Sequence, residues 1–379
     1  MTKQIFQLIG IPGSGKSTWA KSYLDHRIDA SKISYLSSDK IREQLSSKPP
    51  FAGKELDEVT YQKLNQKVFS LMFKKYKKAL WDSTITTIIL DMTATSRKRR
   101  INWYQTSKNK LLPLTRFTSI IFMSSLTSAY TNIRKRSAEG GLDVPKQVIK
   151  QMQINLQPPK IGLDCDQIMV TGESFFTTPA QMKNAINPKQ NLLKVPYGQL
   201  DKVNNQVISL YQRFSDHLKV NEMKNLFTNH DSKYHAENLD THLSLCIANS
   251  NSSILSLLSL YHDLGKSLTK KFHEDGYAHY YGHENFSSIV LLNAIATQKY
   301  YTDNPNNLLD NGYFDRLIDV SNSLQLFVVE LVLDHMIYHT KAGLTDKIKN
   351  KRCLKFSDIE HLEEFGHIDD KSTLKKVDN

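Results

Sequence analysis

A parallel three-layer α/β domain followed by an all-helical domain is the fold class this sequence predicts, and three observations predict it. A glycine-rich stretch, Gly10-Ile11-Pro12-Gly13-Ser14-Gly15-Lys16-Ser17, stands between an apolar run and a helical pattern. Short β-rich runs then alternate with helical spacing as far as about residue 175, the βαβα signature of a parallel sheet covered by helices. From about Gln199 the β-rich runs nearly vanish and apolar residues recur at helical spacing.

Taken in order, Gln4–Ile9, Ser34–Ser38, Thr86–Leu90, Phe117–Met123 and Asp166–Thr171 read as buried strands. Ser17–Asp25, Asp57–Trp81 and Pro145–Asn155 carry helical spacing between them. In the second half the helical stretches are Val203–Leu218, Leu239–Ala248, Ser252–His262, Glu284–Lys299, Leu324–His339 and Asp358–Phe365. Pro179, Pro188 and Pro196, set among Asn and Lys, mark a connection. The expected organisation is thus an α/β domain at 1–178, a linker at 179–200, a helical domain at 201–370 and a frayed tail at 371–379.

At 379 residues the chain is too long for one typical core, and 40% hydrophobic with 23% charged residues suits a folded protein rather than a disordered or collagen-like one. The net charge of +12 is unevenly placed: residues 1–180 hold 28 Lys and Arg against 14 Asp and Glu, and residues 181–379 hold 22 against 24. An anionic polymer is therefore expected on the first half. Cys165, Cys246 and Cys353 are scattered, with no CxxC pair, which argues against a disulfide framework and a cysteine zinc site and for a reducing, cytoplasmic compartment. The apolar run before Gly10 is too short for a signal peptide, and no window approaches the ~18 apolar residues of a membrane span, so no membrane partner is expected.

The glycine-rich stretch has the form GxxxxGK[ST] in the strand-to-helix context that phosphate binding requires. Backbone N–H groups curl around a phosphate chain, Lys16 reaches the outer phosphates and Ser17 holds Mg²⁺, so Gly10, Gly13, Ser14, Gly15, Lys16, Ser17 and Thr18 are the expected nucleoside-triphosphate contacts. Asp39 ends a strand run with Arg42 three residues later; the carboxylate can take a proton from an attacking hydroxyl while the guanidinium grips a neighbouring phosphate. Asp91 also ends a strand run, where it can bind metal through water in the Walker B manner or orient Arg42. Asn132–Ser137, with Arg134, Lys135 and Arg136, reads as a basic turn able to close over nucleotide and stabilise charge on the transferring group. The clusters Lys74-Lys75-Tyr76-Lys77-Lys78 and Arg97-Lys98-Arg99-Arg100 are expected to supply polymer phosphate contacts. In the second half His242, His262 and the adjacent Asp263 suit a divalent transition metal, whereas His230 and His361 read as structural.

The order GxPGSGKST at 10–18, Ser38-Asp39-Lys40-Ile41-Arg42, Leu90-Asp91-Met92-Thr93 and Arg134-Lys135-Arg136 before Val144-Pro145 resembles the phage-type 5′-hydroxyl polynucleotide kinases over about residues 1–175. The resemblance implies Lys16 and Ser17 on ATP·Mg²⁺, Asp39 as general base for the 5′-OH, Arg42 on the acceptor phosphate, Asp91 orienting the acceptor site, and a catalytic lid arginine. Ser137–Asp143 intervenes where the family has a shorter or more arginine-rich stretch, so Arg134 and Arg136 both remain candidates. Leu257–Lys266 followed by His279-Tyr280-Tyr281-Gly282-His283-Glu284 resembles the HD superfamily of metal-dependent phosphohydrolases over roughly 225–370, with a spacing closest to the HD domains appended to bacterial tRNA nucleotidyltransferases.

That second resemblance implies His242, His262 and Asp263 as metal ligands, His283 and His335 completing a second site, Lys266 on substrate phosphate, and Asp369 or Asp334 as the distal ligand. Mn²⁺, Ni²⁺, Co²⁺ or Fe²⁺ are the metals implied. The kinase family often carries a second domain, marked by DxDGT, that removes a 3′-phosphate or opens a 2′,3′-cyclic phosphate; that signature is absent here. The combination points to an enzyme that heals RNA or DNA ends ahead of a ligase in a bacterial or phage-infected cell. The alternatives are a nucleoside or metabolite kinase joined to a nucleotide phosphohydrolase, and a kinase with a non-catalytic RNA-binding module.

Overall fold

β1 (Lys3–Ile9), β2 (Ile33–Ser37), β3 (Thr87–Asp91), β4 (Thr115–Met123) and β5 (Gln167–Glu173) form in the computed structural model within one to two residues of their expected positions. The structure describes residues 2–50, 57–141, 143–176, 230–303, 309, 312–339, 345–346, 348, 352 and 354–374. The five strands pair in parallel in the order β2-β3-β1-β4-β5. Because side chains alternate across a strand, one face of the sheet collects Ile5, Ile9, Ile88, Leu90, Phe117 and Ile121, and the other collects Leu8, Ile89, Ile120 and Phe122. Ala20 of α1 (Lys16–Asp25) packs on the second face. Leu64, Val68 and Met72 of α3 (Glu58–Trp81) pack on the first, giving the three layers expected.

Two helices were not legible as such. α4 (Arg97–Ser107) occupies the Arg97–Arg100 cluster, and α5 (Leu126–Ala138) replaces the basic turn expected at Asn132–Ser137. The physical reason for α5 lies upstream of its charges. Leu126, Ala129, Tyr130 and Ile133 recur at helical spacing against Ile11 and Ile149 of α6 (Lys146–Ile154), and the Ser125 hydroxyl caps the first turn by accepting from Ser128 N at 3.2 Å.

The all-helical expectation for the second half is corrected by β8 (Tyr313–Asp319), which joins the sheet antiparallel to β5 and makes it six-stranded. Phe314 and Ile318 are buried while Tyr313, Asp315 and Arg316 are exposed, a strand pattern within an otherwise helical half. Pairing there covers the backbone groups that β5 would otherwise present as a free edge. Lys271–Phe272 and Ala278–His279 (β6 and β7) add a two-stranded ribbon.

The helices of this half are α7 (Leu239–Asn249), α8 (Ser253–Tyr261), α9 (Lys266–Thr269), α10 (His283–Asp303), α11 (Leu326–Asp334) and α12 (Phe356–Ser372), with a 3₁₀ turn at His335–Ile337. α10 is buried on nearly every side from His283 to Thr297 and forms the centre of this half. Its core continues without a break into the first face of the sheet. The seam is also polar: Asn293 Nδ2 donates to Glu173 O at 2.8 Å, Phe175 N donates to Asn293 Oδ1 at 2.8 Å, and Gln157 Nε2 donates to Asn285 Oδ1 at 3.1 Å. The expected linker 179–200 and the helix Val203–Leu218 lie outside the described residues, as do residues 375–379 of the expected tail; Lys371 and Ser372 belong to α12. Among the described residues no helix is long and apolar enough to cross a membrane.

Candidate functional site

The carboxyl ends of β1, β2 and β3 open onto one cleft of about 1900 Å³, the position where ligands sit in open α/β sheets. The glycine loop forms its floor. Gly13 has φ +80, and a Cβ there would lie 2.4 Å from Ala129 O, so only glycine lets α5 approach the loop this closely. Gly15, at φ +92, is the N-cap residue of α1 and directs that helix N-terminus into the cleft. Lys16 is buried, and its ammonium donates to Gly10 O at 2.9 Å and Ile11 O at 2.8 Å. Burial lowers its pKa from the ordinary 10.5 to about 8, against the opposing pull of Asp91 and Asp39.

Asp91 is buried at the end of β3, and its Oδ2 accepts from Ser17 Oγ at 2.7 Å and from Tyr35 OH at 2.6 Å. Asp91 is thus hydrogen-bonded to the serine that ends the glycine-rich motif and not to Arg42. Arg42 finds other partners: Asp39 Oδ1 at 2.5 Å and Asn65 Oδ1, held out from α3, at 3.1 and 3.2 Å. The cap of α2 (Ser38–Ser46) is Ser37, which leaves the exposed Asp39 carboxylate facing the cleft. On the opposite wall Asn132 Nδ2 donates to Gly13 O at 2.8 Å and ties α5 to the loop. Lys135 and Arg136 line the cleft; Arg134 is exposed and does not.

The structure divides the Arg97–Arg100 cluster. Lys98 and Arg99 are exposed on the cleft wall. Arg97 and Arg100 are buried instead, Arg97 Nη2 lying 2.8 Å from Glu330 Oε1 and Arg100 Nε 2.7 Å from Asp164 Oδ2. Their expected polymer contacts are corrected to internal ion pairs, because residues three apart on a helix share a face and the first and fourth members of the run turn inward. Lys74, Lys75, Lys77 and Lys78 are exposed on α3 while Tyr76 is in the core. Sequence reasoning missed Tyr313 and Phe314, which reach the cleft from β8 beside Gly172. The alternation of Phe314 and Ile318 was the available signal.

A second cluster joins α7, α8, α10, the 3₁₀ turn and α12. Nδ1 of His262, His283 and His335 lies 2.9, 2.7 and 2.7 Å from the carbonyl oxygens of Ser259, Tyr280 and Val332. A carbonyl only accepts, so each Nδ1 carries the proton and each Nε2 presents a lone pair. Those lone pairs converge. His283 Nε2 is 3.2 Å from His335 Nε2 and 3.1 Å from Asp263 Oδ1. His262 Nε2 is 3.3 Å from His242 Nε2 and 3.4 Å from Asp263 Oδ2, and His242 Nε2 is 2.9 Å from Asp369 Oδ1.

The Asp263 carboxylate lies between two groups of buried atoms that could hold a metal ion, joining His283 and His335 on one side and facing His242, Cys246, His262 and Asp369 on the other, and His235, Glu237 and His242 form a third such group. Burial alone would raise the Asp263 pKa, but the Lys266 ammonium at 2.5 Å holds it well below the usual carboxylate range. Asp334 is elsewhere, buried 3.1 Å from Arg352, with burial pushing its carboxyl up to about 6; Asp369 is the aspartate at the cluster. His230, read as structural, is buried with its Nε2 3.3 Å from Lys266 Nζ; His361 Nδ1 is 2.6 Å from Ser357 O.

Residues 5–159 match the model of a family described as an AAA domain. No curated protein matches the chain. Among solved structures, the chain is similar to a candidate kinase from Chloroflexus aurantiacus J-10-fl at 14% identity and TM-score 0.33, covering 45% of this chain and 88% of that one. It is also similar to a fungal RNA kinase at 15% identity and TM-score 0.30, covering 57% and 97%. The glycine loop, Ser17 and Asp91 lie within residues 5–159, the stretch of the α/β domain that matches the AAA domain model.

Proposed function

We propose that the chain heals nucleic-acid ends, phosphorylating a 5′-hydroxyl from ATP in the α/β cleft and hydrolysing a 2′,3′-cyclic phosphate or 3′-phosphate at the imidazole–carboxylate cluster. The observation that carries the reading is the pairing, in one chain, of an open cleft with a carboxylate–guanidinium pair at its acceptor end and a buried cluster of lone pairs built for cations. Ser17 and Asp91 form an oxygen donor pair suited to Mg²⁺, and the imidazoles suit a softer divalent metal. Held by these residues, such cations would supply charge neutralisation at phosphoryl oxygens and, at the cluster, activation of water.

The chain's own groups do the rest. Lys16 leaves the loop carbonyls for the outer phosphates, and Asp39 accepts the proton of the attacking hydroxyl. Arg42, steadied by Asn65, holds the acceptor's phosphate, and Arg136 offsets charge on the transferring group from α5. Lys98 and Arg99 extend positive charge along the wall, which favours a polymer acceptor over a nucleoside or metabolite. In the second half Lys266 faces substrate phosphate beside Asp263.

The test is a nicked stem-loop with 5′-OH and 2′,3′-cyclic phosphate ends. Wild type should transfer labelled phosphate to the 5′ end and open the 3′ end; Lys16→Ala should lose only the first and His262→Ala only the second. Transfer to nucleosides in preference to oligonucleotides, without salt dependence, would reject the polymer reading.

A further inference from the structure

Cys246 stands one helical turn after His242 on α7, so both side chains leave the same face of the helix. It is fully buried, and its Sγ lies 3.7 Å from His242 Nε2 and 4.0 Å from Asp369 Oδ1. The sulfur, the two imidazole Nε2 atoms and the Asp369 oxygen all lie within 4.8 Å of one another. Metal bonds of ~2.0–2.3 Å in a tetrahedral site place donor atoms roughly 3.3–3.8 Å apart. His242 to His262 at 3.3 Å, His262 to Asp369 at 3.8 Å and Cys246 to His242 at 3.7 Å fall within that range, while His242 to Asp369 at 2.9 Å is shorter and Cys246 to Asp369 at 4.0 Å longer. The absence of a CxxC pair argued against cysteine ligation in the sequence, but a mixed site needs no second cysteine when imidazoles and a carboxylate converge on the first.

We propose that Cys246 is a thiolate ligand in the donor set His242–Cys246–His262–Asp369, selecting a thiophilic divalent cation such as Zn²⁺ over Mn²⁺ or Mg²⁺ there. The proposal rests on reading this cluster as a metal centre and adds its metal preference. Ligation exchanges the S–H bond for a sulfur–metal bond and releases one proton to solvent, with no change in oxidation state. The two sides of Asp263 then differ in softness. The side holding Cys246 takes the thiophilic ion, and the side holding His283 and His335 has only nitrogen and oxygen donors.

The experiment is cobalt substitution of the chelator-stripped full chain, without nucleotide, followed by absorption spectroscopy and competition with Zn²⁺ and Mn²⁺. Wild type is expected to show visible d–d bands and a near-ultraviolet thiolate-to-cobalt charge-transfer band. Cys246→Ser should abolish the charge-transfer band, retain d–d bands and weaken Zn²⁺ binding at least about tenfold, while Mn²⁺ binding changes less than about threefold. A thermal melt of the stripped variant checks its folding, and Cys246→Ala is the second variant. Cobalt bands without charge transfer in wild type, or a charge-transfer band that survives both substitutions, would overturn the thiolate and leave the metal centre standing. No cobalt uptake would overturn both.

Discussion

Arg99 and Arg100 are neighbours in one basic run, and opposite consequences are expected from replacing each with alanine. Arg100 and Asp164 are both fully buried; Arg100 Nε donates to Asp164 Oδ2 at 2.7 Å, Nη1 to Ala94 O at 2.8 Å and Nη2 to Pro158 O at 3.0 Å. Arg100→Ala leaves the carboxylate without its cation, and removing one partner of a buried pair costs about 3–5 kcal/mol. The expected loss is about 4 kcal/mol, because Lys160 N still donates to Asp164 Oδ1 at 2.6 Å. Arg99→Ala, exposed on the cleft wall, should change stability by less than about 0.5 kcal/mol. It should instead lower the slope of log affinity against log salt by about 0.7 for a single-stranded oligonucleotide. Urea denaturation of the full chain measures the first effect and oligonucleotide titration at several salt concentrations the second. Equal stability of the two variants, with equal loss of salt slope, would refute the division of the cluster into buried and cleft-facing members.

Asp39→Asn is expected to lower phosphoryl transfer by about 10²–10⁴-fold while leaving the KM for ATP nearly unchanged, as steady-state kinetics on a 5′-OH oligonucleotide would show. For Lys16 the folded pKa of about 8 lies below the unfolded 10.5, so between those values the unfolded chain holds more protons and stability rises with pH. Wild type should gain up to about 3 kcal/mol relative to Lys16→Met across that window in urea titrations, and a flat difference would reject the buried cation. Tyr313→Ala should weaken ATP binding several-fold although residue 313 lies far outside residues 5–159. Tyr313→Phe, which keeps the ring but loses the 2.7 Å bond donated to Glu173 Oε1 and the contact with Ser128, should bind ATP within about twofold of wild type in equilibrium titration.

Local chemistry was legible wherever it depended on residues close in sequence. Gly13, Gly15, Lys16 and Ser17 form one turn, so their spacing alone announces a phosphate site, and the strands ending at Ser37 and Asp91 show as apolar runs. α5 was hidden because its three charges stand together at its C-terminal end while its few apolar residues are spread over the preceding turns, and the Arg97–Arg100 run looked uniform because a string of letters carries no inside or outside. Asp334 and Asp369 were equivalent by type; only the path of α12 past His242 separates them.

From the sequence alone came the strand–loop–helix phosphate site, the parallel alternation of the first half, the helical character of most of the second, and the histidines of the cluster with Asp263. Tertiary structure decided what depends on distance. A strand 140 residues after Glu173 closes the sheet edge and brings Tyr313 to the cleft. Packing around α10 merges the two halves into one core. Cys246, set aside for lack of a cysteine partner, meets imidazoles from two helices and a carboxylate from a third. Spacing encodes contacts within a turn or a strand, whereas contacts across a hundred residues are set by which apolar faces bury against each other.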